Sequence, residues 1–191
     1  MTVCVFAASS SRVNSGYGAA AAGLGSLLAK AGIDVVFGGG GIGLMKKLAD
    51  AVLENGGRIT GVIPSFMKEE GWGHHGVNET ITTRDMSERK RRMFEMADAI
   101  IALPGGMGTL EELTEAITLK QLSLFDGPII ILNTLGYYNS LLDFIDHMID
   151  NNFLRAEHKG IWEVVSTPEE VLTALSRKDN GNEEWRKIAK I

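Results

Sequence analysis

One cysteine, Cys4, is all the chain contains, and a single thiol excludes an intramolecular disulfide framework and a cysteine-ligated zinc site. It lies in the first apolar run, TVCVFAA, where a free cysteine reads as a buried strand residue rather than a nucleophile. Long apolar stretches are missing too. No run approaches the roughly 18 residues of a membrane span, and no charged lead followed by an apolar segment marks a secretion signal. Basic charge is also short: 19 Lys and Arg against 24 Asp and Glu leave a net charge of -5. General nucleic-acid binding is disfavoured, because neutralising a phosphate backbone needs a clustered basic surface. The expectation is a soluble cytoplasmic protein with neither nucleic acid nor membrane as partner, which binds any anion locally.

What is present suits one core. A chain of 191 residues, 45% of them hydrophobic, buries about 70% of its unfolded surface as a single domain. Six apolar runs of strand length, TVCVFAA, IDVVFGG, RITGVIP, DAIIALP, PIIILN and IWEVVS, alternate with helical stretches at 15–31, 43–56, 86–97, 109–124, 138–152 and 168–177. This order predicts an α/β, Rossmann-like three-layer fold, with a mainly parallel sheet of six or seven strands and helices on both faces. Strands that are uniformly apolar rather than alternating fit a sheet covered on both sides. Residues 1–177 form the domain in this reading, and 178–191 a polar tail that frays or docks on a neighbouring subunit. Residues 64–79, PSFMKEEGWGHHGVNE, have little period and read as a mobile excursion. Thr167-Pro168-Glu169-Glu170 carries an N-cap, an N1 proline and a capping-box acid in register.

If the strands follow the common 3-2-1-4-5-6 order, the ligand crevice opens between the first and fourth of them. The loops leaving those strands are Ala8-Ser9-Ser10-Ser11 and Pro104-Gly105-Gly106-Met107-Gly108-Thr109. A second glycine-rich turn, VVFGGGGIGLM, satisfies GxGxxG at Gly38, Gly40 and Gly43, but it follows the second strand and has no acidic residue about 20 positions on. Dinucleotide binding is therefore not expected, and close approach of backbone to a ligand or helix explains the glycines instead. Ser9, Gly39 and Gly40 are expected ligand contacts. The turn at 104–109 opens a helix, so its amides and the helix dipole suit a single phosphate. It lacks the Gly-Lys-Ser/Thr of a Walker loop, which favours a monophosphate.

Glu111 and Glu112 follow that turn directly. Thr109-x-x-Glu112 is a capping box in its own right, yet two adjacent carboxylates beside an anion nest call for a cation. One is available upstream in TTRDMSERKRRMFEMADA, where Arg89 falls inside an apolar stripe with Met86 and Met93 while Arg91, Arg92 and much of Lys90 fall toward the flanks and solvent. An inward arginine needs a carboxylate or phosphate partner; Glu112 and a bound phosphate are the candidates. His74-His75 has no neighbouring ligand at metal spacing, so no metal is expected. His147 belongs to an amphipathic helix and reads as packing or interface.

The combination VFAASSS, FGGGGIGLM, DMSERKRRM and LPGGMGTLEEL resembles the Lonely Guy family of cytokinin riboside 5′-monophosphate phosphoribohydrolases, often mislabelled lysine decarboxylases. The likeness runs through about residue 175, and its most specific element is PGGxGTxxE with an upstream Arg-Lys pair. The resemblance implies hydrolysis of the N-glycosidic bond of a purine nucleoside 5′-monophosphate to free base and ribose 5-phosphate, without metal or organic cofactor. It implies a dimer, or an assembly of dimers, with substrate near the interface. Carried over, Arg89 and Glu112 are catalytic, Lys90, Gly105, Gly106, Met107, Gly108, Thr109, Glu111 and Thr118 contact substrate, and Glu79 and Met86 lie close by. The chain departs from the family at Ala7-Ala8, where Cys-Gly is common, and around Gly71-Trp72-Gly73-His74-His75, which leaves base selectivity open. Three rivals are a pyridoxal-dependent decarboxylase, a non-catalytic nucleotide or cofactor carrier on the same fold, and a general nucleotide nucleosidase.

Overall fold

A computed structural model of the chain describes residues 1–177 together with Trp185 and Ile188. Seven strands, β1 (Thr2–Phe6), β2 (Asp34–Phe37), β3 (Ile59–Pro64), β4 (Glu79–Thr83), β5 (Ala99–Ala102), β6 (Ile129–Leu132) and β7 (Trp162–Val165), pair in the order β4-β3-β2-β1-β5-β6-β7, all of them parallel. Helices α1 (Ser15–Lys30), α2 (Gly43–Glu54), α3 (Ser65–Glu69), α4 (Met86–Glu95), α5 (Met107–Gln121), α6 (Asn139–Asp150) and α7 (Pro168–Ser176) make the crossovers.

The period-2 geometry of the strands builds two cores from one sheet. Val3, Val5, Val35, Phe37, Ile101 and Leu132 point to one face, under Leu24 and Leu28 of α1, Leu48 and Val52 of α2, and Val171 of α7. Cys4, Phe6, Val36, Ile100, Ala102 and Ile131 point to the other, under Met93 of α4 and Leu113 and Ala116 of α5. Both faces are dry, so apolar residues stand at successive positions and the alternating pattern of a one-sided sheet is missing. Each large aliphatic side chain buried this way contributes about 1.5–3 kcal/mol. Cys4 is fully buried beneath the second layer, and burial pushes its thiol well above the usual range, which keeps it protonated.

The six expected strands keep the expected relative order, and β4 adds a seventh at the edge. Its sequence, ETITT, is mostly exposed and carries three threonines where a central strand carries aliphatics, so a search for apolar runs passes over it. The excursion at 64–79 is correspondingly shorter and better fastened than expected. It contains α3, and its remainder is stitched to the glycine turn by Gly41 N to Trp72 O (2.8 Å), His74 N to Gly39 O (2.8 Å) and a Gly40–Gly73 bridge. His74, its ring buried, adds a 3.0 Å contact to Asp50 on α2.

The α7 capping box forms as read: Thr167 accepts from Glu170 N, and the Glu170 carboxylate accepts from the amides of Ser166 (2.7 Å) and Thr167 (3.1 Å). Of the tail expected to be polar, Trp185 is buried and packs with Ile188 against the second core. The rest of 178–191, and with it the expected docking on a neighbour, lies outside the described residues.

Candidate active site

The connections reverse direction between β1 and β5, and a cavity of about 310 Å³ opens at the carboxyl ends of these strands. Phe6 to Ser9 leave β1 to form one wall; Gly106 to Thr109, with Glu111 and Glu112, form the opposite one. Arg89 reaches in from α4, and Met45, Met67 and Met86 complete the lining.

Helix α5 begins two residues earlier than the sequence suggests, at Met107 with Gly106 as N-cap. Thr109 is thereby the third helical residue and cannot act as a cap, so the capping box expected for Thr109 and Glu112 does not form. The first intrahelical amide is Leu110 N, bonded to Gly106 O at 3.0 Å. The amides of Met107, Gly108 and Thr109 precede it and have no acceptor within the helix.

The carboxylate freed from capping meets the arginine instead. Arg89 is 6% exposed and Glu112 also 6%; Arg89 Nη1 donates to Glu112 Oε1 at 2.8 Å and its Nε to Val62 O at 3.0 Å. Helix α4 presents Arg89 inward because Asp85 caps it, accepting from Glu88 N at 2.7 Å, which sets the helix register. Burial raises the Glu112 carboxyl above the ordinary glutamate range, and the Arg89 charge only partly offsets this. The carboxylate thus stands almost buried beside a cation at the cavity wall, where a developing positive charge would interact strongly with its ionised form.

Room for Arg89 comes from the glycine turn after β2. A Cβ on Gly38 would stand 1.9 Å from Arg89 Nη2, so only glycine lets the guanidinium pass. Arg89 is held at both Val62 and Glu112 and has little freedom to retreat. Gly38→Ala is accordingly expected to lower kcat/KM by about 10²-fold through misplacement of the ion pair, and to lower the thermal midpoint as an overpacked site does; steady-state kinetics and a melting curve check it.

The remainder of that turn serves packing. Gly43, at φ +66°, lies so close to Ala8 and Ser9 that a Cβ would be 2.5 Å from the Ser9 carbonyl carbon. Leu44 N and Met45 N both donate to Ala8 O, at 2.9 and 3.2 Å, which consumes donors at the start of α2 that a pyrophosphate would need.

The expected contacts divide accordingly. Ser9, Met86, Arg89, Gly106, Met107, Gly108, Thr109, Glu111 and Glu112 line the cavity. Gly105 lines an adjoining cleft with Tyr137. Lys90 does not project outward as the stripe suggested: its side chain is 15% exposed and clasps Glu111 and, at 2.6 Å, Glu115, two carboxylates that raise the Lys90 ammonium above its ordinary range despite partial burial. Gly39 and Gly40 do not line the cavity; the first backs onto Val62 and Ile63 and the second pairs with Gly73. Glu79 begins β4, at the amino end of the sheet, where it meets Arg58 at 3.4 Å, and Thr118 turns its hydroxyl to Thr114 O. Both stand outside the cavity of a single chain. Arg91 and Arg92 are exposed and pair with Glu95. Met45 and Met67 are wall residues that the sequence did not single out, and Gly38 was noted only as part of the GxGxxG turn; Met67 rides on the short α3, for which no periodic signal existed.

Among the described residues no three His, Cys, Asp or Glu side chains are grouped to hold a metal, and no helix is long and apolar enough to cross a membrane.

Residues 45–175 match the family described as "Possible lysine decarboxylase". Two cytokinin riboside 5′-monophosphate phosphoribohydrolases of Arabidopsis thaliana are similar to the chain along most of its length. One is 44% identical over 166 residues, covering 87% of this chain and 76% of that protein. The other is 41% identical over 173 residues, covering 91% and 76%. Among solved structures, the molybdenum cofactor binding protein of Rippkaea orientalis superimposes with a TM-score of 0.67 at 22% identity, over 90% of this chain and 93% of that one. The molybdenum cofactor carrier protein of Chlamydomonas reinhardtii does so with a TM-score of 0.67 at 19% identity, over 91% and 94%. At those identities the last two share the fold alone. With the family match spanning more than half its residues and relatives above 40% identity, the chain belongs to the Lonely Guy family of cytokinin riboside 5′-monophosphate phosphoribohydrolases.

Proposed function

We propose that the protein hydrolyses the N-glycosidic bond of purine nucleoside 5′-monophosphates, N6-modified adenosine monophosphates among them, giving free base and ribose 5-phosphate. The observation that carries this reading is the buried Arg89–Glu112 pair, opening onto a cavity whose wall is the start of α5. Cleavage passes through an oxocarbenium-like state, so negative charge belongs near the sugar and positive charge near the departing base. Glu112 stabilises the developing ribosyl cation and orients the water whose oxygen bonds to C1′ as the C1′–N bond breaks. Arg89 holds the nucleotide and Glu112 in place. Because arginine is always protonated, its role is electrostatic; the proton gained by the base comes from the attacking water. The free amides of Met107, Gly108 and Thr109, at the positive end of α5, suit the 5′-phosphate, with Glu112 on the turn of helix that follows them.

A pyridoxal-dependent decarboxylase does not fit these residues. It needs a lysine at the cofactor, and no lysine lines the cavity; the Lys90 ammonium is taken up by Glu111 and Glu115. A carrier that only binds gains nothing from a buried ion pair aimed at the cavity, so that reading is not favoured. We further propose a cytoplasmic homodimer, in which Thr118 would meet substrate only across the interface. Exposed Met107, Leu122 and Leu124 on and after α5 support this assembly.

Incubation of the purified protein with AMP and with N6-isopentenyl-AMP, with chromatography for free base, tests the reading. Base release is the expected result, and the ratio of the two rates names the better substrate. Intact nucleotide binding with no release from either would overturn it in favour of a carrier.

A further inference from the structure

Three successive carbonyl oxygens in the turn after β5 are all tied down. Leu103 O accepts from the Tyr138 hydroxyl at 2.7 Å, Pro104 O from Ala8 N at 3.3 Å, and Gly105 O from the Tyr137 hydroxyl. In a trans peptide the N–H of one residue points opposite to the carbonyl of the residue before it. Fixing Gly105 O toward Tyr137 therefore fixes Gly106 N–H on the opposite side. Gly105 and Gly106 have no side chains to resist a peptide flip, so the hydroxyls supply the resistance.

Adjacent tyrosines ordinarily diverge, and a distorted turn makes these two converge. Leu135 at φ +54° and Gly136 at φ +70° are both left-handed. Asn133 then holds the exit of the turn, accepting from Tyr138 N at 2.7 Å and donating to Asn139 Oδ1 at 2.8 Å. The Tyr137 ring is edge-packed between Tyr17 of α1 (centroids 5.7 Å apart) and Tyr138 (5.0 Å), so its hydroxyl has one place to go. A strained leucine and a three-ring stack are more than a surface loop requires.

We propose that Tyr137 and Tyr138 are positioning residues for the 5′-phosphate: by holding Leu103 O and Gly105 O they aim the amides from Gly106 onward at the anion. This rests on the reading above of the 105–109 turn as the phosphate cradle. Neither tyrosine touches the reacting atoms. Their influence falls on binding of the phosphoryl end alone, before and during reaction equally, which moves KM and leaves kcat.

Tyr137→Phe is the decisive variant, since its ring is 43% exposed and keeps its edge contacts without the hydroxyl. Steady-state kinetics on AMP would be combined with inhibition constants for ribose 5-phosphate and for adenosine, which lacks the phosphate. The expected result is about a tenfold rise in KM and in the ribose 5-phosphate constant, the equivalent of one lost hydrogen bond. The adenosine constant, kcat and thermal midpoint should be unchanged. Equal weakening of adenosine and ribose 5-phosphate, or no change in either, would overturn the proposal while leaving the hydrolytic reading standing. Wild-type protein that neither cleaves AMP nor is inhibited by ribose 5-phosphate would instead remove the phosphate cradle itself. Tyr138→Phe, which removes the donor to Leu103 O, should repeat the pattern.

Discussion

Glu112→Gln should release free base at least about 10³-fold more slowly than wild type, the usual scale for removing a catalytic carboxylate or its electrostatic equivalent. The amide is the same size and its oxygen still accepts from Arg89 Nη1, so the hydrogen bond at 2.8 Å survives while the negative charge does not. Nucleotide binding should persist and tighten slightly, because an anion is no longer asked to sit near a buried carboxylate. Wild-type kcat/KM should fall at low pH along a limb placed above the ordinary glutamate range, since Glu112 must be ionised to act and burial raises its pKa. The stability linkage has the opposite sign. A carboxyl with a raised folded-state pKa contributes stability that is complete below its unfolded value and is lost as pH rises through the folded value. The glutamine variant is free of that loss, so its melting temperature should depend less on pH. Near-normal turnover by this variant would end the assignment of Glu112.

Arg89→Met is expected to have the second largest effect, and on two observables at once. Removing one partner of a buried pair leaves the other desolvated and alone, which costs about 3–5 kcal/mol. Here Val62 O also loses its donor. Glu112 would relieve its isolation by taking up a proton, so the acidic limb of any residual activity should move to higher pH. The double variant Arg89→Met/Glu112→Gln separates the pair from its members. With both charges gone nothing ionised is stranded, and the double variant should be more stable than Arg89→Met alone. Strict additivity of the two melting shifts would show that the residues do not act on each other.

Most of the fold was legible because a doubly covered sheet writes itself as apolar runs, and the crevice followed from the order of those runs. What escaped notice did so for physical reasons. Strand β4 is an edge, so its side chains are not asked to be apolar, and α3 has only five residues and no period. Arg89 was legible from one odd charge in an apolar stripe, and Glu112 from its place after a glycine turn. The partner of Lys90 was not, because its two carboxylates lie on α5, across a helix–helix contact that no spacing within α4 reveals. Gly38 belonged to a turn that resembled a dinucleotide fingerprint, and only the position of the guanidinium shows which glycine serves the site. Glu79 and Thr118 were carried over by resemblance alone, and a single chain does not bring them to the cavity.

Helices α4 and α5 are joined twice, once inside by Arg89 and Glu112 and once outside by Lys90 with Glu111 and Glu115. The two fastenings answer differently to ionic strength. Glu111 is about half open to solvent and Glu115 about a third, and at about 0.1 M salt mobile ions screen charges beyond roughly 10 Å and weaken such partly exposed pairs. The inner pair is almost wholly buried and is screened much less. Salt therefore loosens the outer clasp, which frames the cavity mouth and the entering anion, while the charge arrangement at the glycosidic bond stays as it is. In brine the protein would admit nucleotide less readily yet cleave what it holds at an undiminished rate.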